Sequence, residues 1–138
     1  MAPEALARRL RAGVLASCCL AATCSNRAAD VTVGWTIDPM PPAAAATTIV
    51  RFTLADSHGA PIAGARLHFD AHMTHPGMTP VTSDVIEISS GTYQSTPRLS
   101  MAGDWVFVVS GELLDGRRLT KEIQVPGVRP ADTPAPPR

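Results

Sequence analysis

The stretch "ARLHFDAHM" (residues 65–73) alternates apolar and polar side chains without interruption. One set of alternate positions is apolar and the other is charged or polar: Ala65, Leu67, Phe69, Ala71 and Met73 against Arg66, His68, Asp70 and His72. Because neighbouring side chains of a β-strand point to opposite faces, this pattern predicts a strand with one buried face. An antiparallel sheet that covers a core on one side is the usual setting for such a strand.

The same period of two recurs on both sides of this strand. It predicts further strands at residues 31–37, 48–56, 83–89, 91–97, 104–113 and 117–125. Turn sequences separate them, and Asp115-Gly116 has the composition of a tight hairpin turn. About seven short strands in roughly 100 residues predict an all-β fold, an immunoglobulin-like antiparallel β-sandwich. Trp35 and Trp105 are the two candidates for the large residue in its core.

Residues 1–24 have the composition of an export signal, with an arginine-rich start, a short apolar run and small residues before the cysteines. The apolar run is shorter than the roughly 20 residues of a membrane-spanning helix. Cys18 in "LASC" and Cys24 in "AATC" are the candidate lipidation sites of a bacterial lipoprotein. Simple secretion and an uncleaved anchor are the alternatives. The expected location is the periplasm or the outer face of a membrane, with a lipid anchor.

Composition limits the kinds of site and the number of domains that this chain can have. No cysteine follows Cys24, so the sequence predicts neither a disulfide nor a thiolate metal site in the folded domain. Twelve basic residues balance twelve acidic ones and aromatic residues are few, which argues against nucleic-acid binding. Residues 128–138 are Pro-rich and predict a disordered tail. Residues 30–127 are therefore predicted to be one domain, which we expect to be a monomer.

The stretch "HMTHPGM" (72–78) concentrates histidine and methionine after the central predicted strand. Pro76-Gly77 is a turn pair, so His75 and Met78 become the first and fourth residues of a turn, with Cα atoms less than about 7 Å apart. Met73 occupies an inward position at the end of the strand. Met101, in "LSMAGDW", precedes another predicted strand and is expected to face this loop.

These motifs also carry a family resemblance. The chain has a Gly-x-Pro-aliphatic-x-Gly-Ala turn, a Met-rich loop with Pro and Gly, a Gly-x-Tyr strand and a Met-x-Gly-x-Trp segment: Gly59, Pro61, Gly64, Ala65, Met73, Pro76, Gly77, Met78, Gly91, Tyr93, Met101, Gly103 and Trp105. In this order the sequence resembles the YtkA-like domain over residues 48 to 126, and it shares features with FixH-type proteins.

The resemblance implies an immunoglobulin-like sandwich that is exported or held on a membrane. It brings no agreed biochemical activity, although such domains sometimes occur beside metal-transport or oxidase-assembly functions. FixH-type proteins keep a transmembrane anchor, whereas this chain offers only a lipobox for attachment.

The sequence supports two functional hypotheses. Cu(I) is a soft cation that prefers thioether and imidazole ligands, so His75, Met78, Met73 and Met101 are candidate ligands of a Cu(I) carrier or assembly factor. Its partner would be a copper enzyme or a metal-transport protein. Alternatively, the methionines fill gaps in the core and the domain is a protein-interaction module at the membrane surface.

The sequence does not predict an enzyme. Asp56, Ser57 and His58 are neighbours in a predicted turn, which is the wrong geometry for a catalytic relay. Met40, in "DPMPP", is expected to be an incidental loop residue.

Overall fold

The computed structural model describes residues 30–131. This part of the chain forms eight strands: β1 Val31–Asp38, β2 Ile49–Asp56, β3 Arg66–Met73, β4 Val81–Ser83, β5 Val85–Ser89, β6 Thr92–Ser95, β7 Gly103–Glu112 and β8 Arg118–Val128. They make two four-stranded sheets of order β1-β2-β6-β5 and β4-β3-β7-β8. All strand pairs are antiparallel. The predicted immunoglobulin-like sandwich is confirmed.

One predicted strand is divided between the two sheets. The alternation predicts a single strand over residues 83–89, but β4 ends at Ser83 on β3, and β5 begins at Val85 on β6. The chain therefore passes from one sheet to the other at Asp84, as strands at the corners of sandwiches do. Side-chain alternation does not reveal this change, because the backbone stays extended while its hydrogen-bond partners change.

The core lies between the inward faces of β2, β3 and β7. Each of these strands buries three alternate residues: Val50, Phe52, Leu54, Leu67, Phe69, Ala71, Trp105, Phe107 and Val109. The ring of Phe69 bridges the two sheets, since its centroid lies 6.0 Å from that of Phe52 and 5.1 Å from that of Phe107. Trp105 is 1% exposed and Trp35 is 41% exposed, so Trp105 fills the central position.

The strand order brings four segments together at one end of the sandwich. This methionine end consists of loops 39–48, 74–80 and 96–102 and of residues 129–131, which follow β8. The N–H of Arg129 donates to the carbonyl of Pro42, and the N–H of Ala44 donates to the carbonyl of Arg129. The first loop is therefore attached to the end of β8.

The strand bounds also locate the expected tail and signal. β8 continues to Val128, which is 3% exposed, so the first residues of the predicted tail (128–138) belong to the folded domain. Residues 132–138, the predicted signal at 1–24 and its two candidate lipidation sites lie outside the described residues. Within residues 30–131, no helix is long and apolar enough to cross a membrane. Both sheets and the core between them lie in this segment, so it contains the elements that the fold requires.

Candidate functional site

Met73 forms the inner layer of the methionine end. It is the last residue of β3, lies opposite Trp105 in the pairing of β3 with β7, and packs against the core. Its terminal methyl group lies beside Gly103, where a β-carbon would come within 3.0 Å of it. A larger residue at position 103 would displace the Met73 side chain, so this glycine leaves the room that Met73 occupies.

Met101 presents an exposed side chain from a fixed backbone. Met101 is 48% exposed. Its carbonyl oxygen accepts a hydrogen bond of 3.1 Å from the indole nitrogen of the buried Trp105. The backbone of Met101 is thereby held by the core, while its side chain lies at the surface.

Loop 74–80 is held by the start of β7. Both the N–H and the hydroxyl of Thr74 donate to the carbonyl oxygen of Asp104, at 3.1 and 3.2 Å. The carboxylate of Asp104 in turn accepts a 2.8 Å hydrogen bond from the N–H of Gly127. Asp104 therefore connects the loop after β3, the start of β7 and the end of β8.

His75 and Met78 lie on the outer side of this loop. Gly77 has a φ of 83°, the positive value that the third position of a type II turn requires. Both His75 and Met78 are exposed, and Met78 is 38% exposed. His72 lies one residue before Met73 on β3 and is exposed on the opposite face of the sheet. The fold thus places Met73, His75, Met78 and Met101 at one end of the sandwich, whereas His72 faces the other side of β3.

The donors at the methionine end have a defined chemical character. The four candidate ligands are thioethers from two loops and one strand end, with one imidazole, and this set suits a soft cation. No group of three histidine, cysteine, aspartate or glutamate side chains within residues 30–131 is arranged to hold a metal ion.

Met40, which the sequence alone predicts to be an incidental loop residue, also lies at the methionine end. It is 56% exposed and lies in loop 39–48. The N–H of Ala45 in the same loop donates to the carbonyl of Leu99, two residues before Met101. The four methionines of residues 30–131 consequently all lie at the methionine end. The position of Met40 could have been predicted from strand direction. β2 and β3 are consecutive strands that run in opposite directions, so the loop before β2 lies at the same end as the loop after β3.

The glycine, proline and tyrosine residues of the family motif lie at the opposite end of the sandwich. The hydroxyl of Tyr93 donates to the carbonyl of Ile62 at 2.9 Å and accepts from the N–H of Ala65 at 3.0 Å. Burial raises the pKa of this hydroxyl, and the nearby carboxylate of Glu87 raises it further, while the hydrogen bond from Ala65 opposes the shift. Tyr93 therefore holds the loop between β2 and β3 as a neutral phenol.

Glu87 completes this attachment. Its two carboxylate oxygens accept hydrogen bonds from the N–H groups of Gly64, at 2.9 Å, and Gly91, at 3.0 Å. A β-carbon at Gly91 would come within 2.7 Å of Pro61 and 2.9 Å of the Ile62 nitrogen. The glycine, proline and tyrosine of the motif thus have a structural role, which leaves the methionine end as the candidate site.

The Asp56-Ser57-His58 segment forms a turn. One carboxylate oxygen of Asp56 accepts hydrogen bonds from the N–H groups of His58 and Ala60, at 2.8 and 2.9 Å. These bonds lower the pKa of Asp56. The hydroxyl of Ser57 lies 3.3 Å from Nδ1 of His58, within an exposed loop. The carboxylate organises the backbone here instead of orienting the imidazole.

Two antiparallel sheets, a strand that changes sheet and a buried tryptophan define an immunoglobulin-like β-sandwich protein. The model of the YtkA-like family matches residues 27–110, and the chain belongs to this family. The resemblance inferred from the sequence motifs is thereby confirmed.

Solved structures with this fold include a DUF4426 family protein from Pseudomonas aeruginosa PAO1. It has a TM-score of 0.57 at 13% identity, and the alignment covers 77% of this chain and 96% of that one. The filamin domain of Lin-41 has a TM-score of 0.50 at 14% identity, covering 73% of this chain and 93% of that one. Identities this low establish the shared fold alone. Comparison with curated proteins gives no significant match.

Proposed function

We propose that this YtkA-like domain is an exported, lipid-anchored accessory protein that carries Cu(I) at the methionine end. The proposed ligands are His75, Met78, Met73 and Met101. The observation that supports this function is the convergence of loops 74–80 and 96–102 at the end of β3, with exposed side chains at Met78 and Met101.

The chemistry of these donors suits a carrier. Thioethers bind Cu(I) without losing a proton, so their affinity does not depend on deprotonation at the pH of the compartment. Hydrogen bonds hold the backbone on both sides of the proposed site, from Thr74 to Asp104 and from Trp105 to Met101. Anchoring the backbone reduces the conformational entropy that ligand binding must overcome. Exposed thioethers also allow a partner to take the ion by direct contact.

The partner that this chemistry indicates is a copper enzyme under assembly or a metal-transport protein. Met73 is half-buried whereas Met78 and Met101 are exposed, so Met78 and Met101 would be the ligands that a partner can reach. An acceptor with its own methionine or histidine ligands could then replace the outer ligands one at a time. A lipid anchor would keep the carrier at the membrane surface where such acceptors lie.

A Cu(I) titration of residues 30–131 against a competing chelator, under reducing conditions, tests this function. We expect one equivalent to bind, and we expect the double variant Met78→Leu, Met101→Leu to lose that binding while it keeps its fold. Met40→Leu is the matched control, because Met40 is also exposed at the methionine end but lies outside the proposed ligand set. Equal affinity in the wild type and the double variant would exclude the site.

A second function has its own supporting observation. Ile86 and Ile88 are 58% and 46% exposed on β5, an edge strand of its sheet. Neighbouring exposed apolar residues are a feature of protein-interaction surfaces. A photo-crosslinker placed at Ile86 in the exporting cell would capture one defined membrane protein if this surface is the functional one. Loss of that product in Ile88→Ser, with Thr120 as the control position, would support the interaction module.

A further inference from the structure

The outer edge of β1 offers an open set of backbone hydrogen-bonding groups. β1 pairs with β2 over all eight residues without a register shift, and it is the last strand of its sheet within residues 30–131. The N–H and C=O groups of Leu54 are directed to Gly91 and Ile62, away from β1. The backbone N–H and C=O groups of successive residues in a central antiparallel strand point alternately to the strand on either side. Those of Thr53, opposite Gly34, are therefore directed towards β1.

It follows that the backbone groups of Val31, Val33, Trp35 and Ile37 point outward from the sheet. Four alternate outward positions, each with one N–H and one C=O, form a template for another antiparallel strand. None of the hydrogen bonds found in the described part of the chain uses these outward groups.

The other edge strands are protected against such pairing, and β1 is not. β4 has three residues, and β5 has five residues with a bulge. β8 carries Arg118, Lys121 and Glu122, and its register shifts near Gly127. Short length, charge and irregularity are the usual means by which edges are blocked. β1 has no charged residue between Val31 and Ile37.

Trp35 lies near the middle of this edge. It belongs to the core-facing set of β1, opposite the buried Phe52, yet it is 41% exposed because no strand of the described chain lies beyond it. Tryptophan is enriched at the centre of protein interfaces, where burial of its large surface supplies much of the binding energy. An additional strand along β1 would complete the burial of this side chain.

We propose that the occupant of this edge is a second copy of the chain, paired antiparallel through β1 with Trp35 opposite Trp35. In this two-fold register, Val33 of one copy lies opposite Ile37 of the other, and Asp38 lies opposite Thr32. Apolar residues therefore meet on the core-facing side, and the hydroxyl of Thr32 meets the carboxylate of Asp38. The pairing is self-complementary, as an interface between identical subunits must be.

Charge favours the register centred on Trp35 over the one centred on Gly34. A two-fold centred on Gly34 would also keep core-facing residues on one side, but it would place Asp30 directly opposite Asp38. Like charges in directly opposed positions destabilise a strand pair. The register centred on Trp35 avoids this contact and still pairs residues 32–38.

The proposed dimer differs from the monomer expected from the sequence, and it does not depend on copper binding. Because β1 strands pair antiparallel, the methionine ends of the two copies would point in opposite directions. A single strand pair is smaller than the interfaces of about 1,200 Å² or more that characterise stable complexes. We therefore expect association to be weak and to depend on protein concentration.

Sedimentation velocity of residues 30–131 over a concentration series tests the proposal. We expect the wild type to shift from monomer to dimer as its concentration rises, and Trp35→Lys and Trp35→Glu to stay monomeric when measured alone. An equimolar mixture of the two variants should dimerise again, because opposite charges then meet at the two-fold axis.

Thr120→Lys, on the outer face of β8, is the matched control and should dimerise like the wild type. Far-ultraviolet circular dichroism checks that each variant is folded. A wild type that stays monomeric at the highest soluble concentration would refute the proposal and would leave the edge to a strand of a different protein. Dimerisation of Trp35→Lys alone would refute the β1 interface. Failure of the mixture to associate would refute the register centred on Trp35.

Discussion

The indole nitrogen of Trp105 donates a 3.1 Å hydrogen bond to the carbonyl oxygen of Met101. Trp105 is 1% exposed and Met101 is 48% exposed, so this bond links the centre of the core to the surface of the candidate site. A buried indole N–H usually needs an acceptor, and here the acceptor is the backbone of a proposed ligand. Stability and site geometry are therefore coupled through one side chain.

Replacement of Trp105 by Phe should destabilise the domain and weaken Cu(I) binding together. The change removes the donor to Met101 and leaves a cavity beneath it, so we expect a loss of about 2 kcal/mol or more in the free energy of unfolding. Urea denaturation measures this loss. Trp35→Phe is the control, and we expect it to cost less than about 1 kcal/mol, because Trp35 is partly exposed at an edge. Similar losses in the two variants would contradict the assignment of Trp105 as the central residue.

Replacement of Gly91 by Ala should be far more costly than replacement of Gly77 by Ala. Both glycines have positive φ, at 70° and 83°, so each alanine carries a backbone penalty of about 1–2 kcal/mol. Only Gly91 is also surrounded, with Pro61, Ile62 and Leu54 all within 3.0 Å of the β-carbon position, whereas nothing lies within 4 Å at Gly77. Thermal unfolding of the two variants separates the two effects. Equal losses would show that the contact with Pro61 relaxes freely.

Tyr93 should make stability depend on alkaline pH. Its pKa is raised in the folded state, so the fold binds the phenolic proton more tightly than the unfolded chain does. The resulting stability is complete below the ordinary tyrosine pKa of about 10 and is lost as the pH rises through the higher folded-state value. The chain contains one tyrosine, so the absorbance of tyrosinate reports this titration directly. A pKa at or below the ordinary value would contradict the buried arrangement.

The hydrogen bonds of Tyr93 can be tested separately. Tyr93→Phe keeps the ring but removes the bonds to Ile62 and Ala65, and it leaves a carbonyl and an N–H without that partner. We expect the free energy of unfolding to fall by about 1–3 kcal/mol. The alkaline loss of stability seen in the wild type should shrink in this variant, and an unchanged pH profile would assign that loss to other groups.

Lipid attachment should depend on a single cysteine. Cys18 and Cys24 each follow a short apolar and small-residue segment, and only the residue that becomes the new N-terminus would carry the lipid. Metabolic labelling with a radioactive fatty acid should give a labelled protein in the wild type and in one of the variants Cys18→Ala and Cys24→Ala. Cys19→Ala serves as the control and should retain the label. An unlabelled wild type would favour simple secretion.

The local pattern of the sequence determined much of the fold. In "ARLHFDAHM" the alternation identified both the strand and its buried residues Leu67, Phe69 and Ala71, because the two-residue period of a strand needs no knowledge of its neighbours. The turn at Pro76-Gly77 was predictable for the same reason, since turn chemistry acts over four residues. The order of the short motifs also identified the YtkA-like family.

Only the tertiary structure decided the features that depend on distant partners. The change of sheet at Asp84, the choice of Trp105 over Trp35 and the position of Met40 beside the candidate site all follow from which strands pair. The same holds for the candidate site. His75 and Met78 are near Met73 along the chain, but Met101 reaches the same end because β7 pairs with β3. Hydrogen-bond partners in a sheet are chosen by packing over the whole core, and that information is absent from any single stretch of sequence.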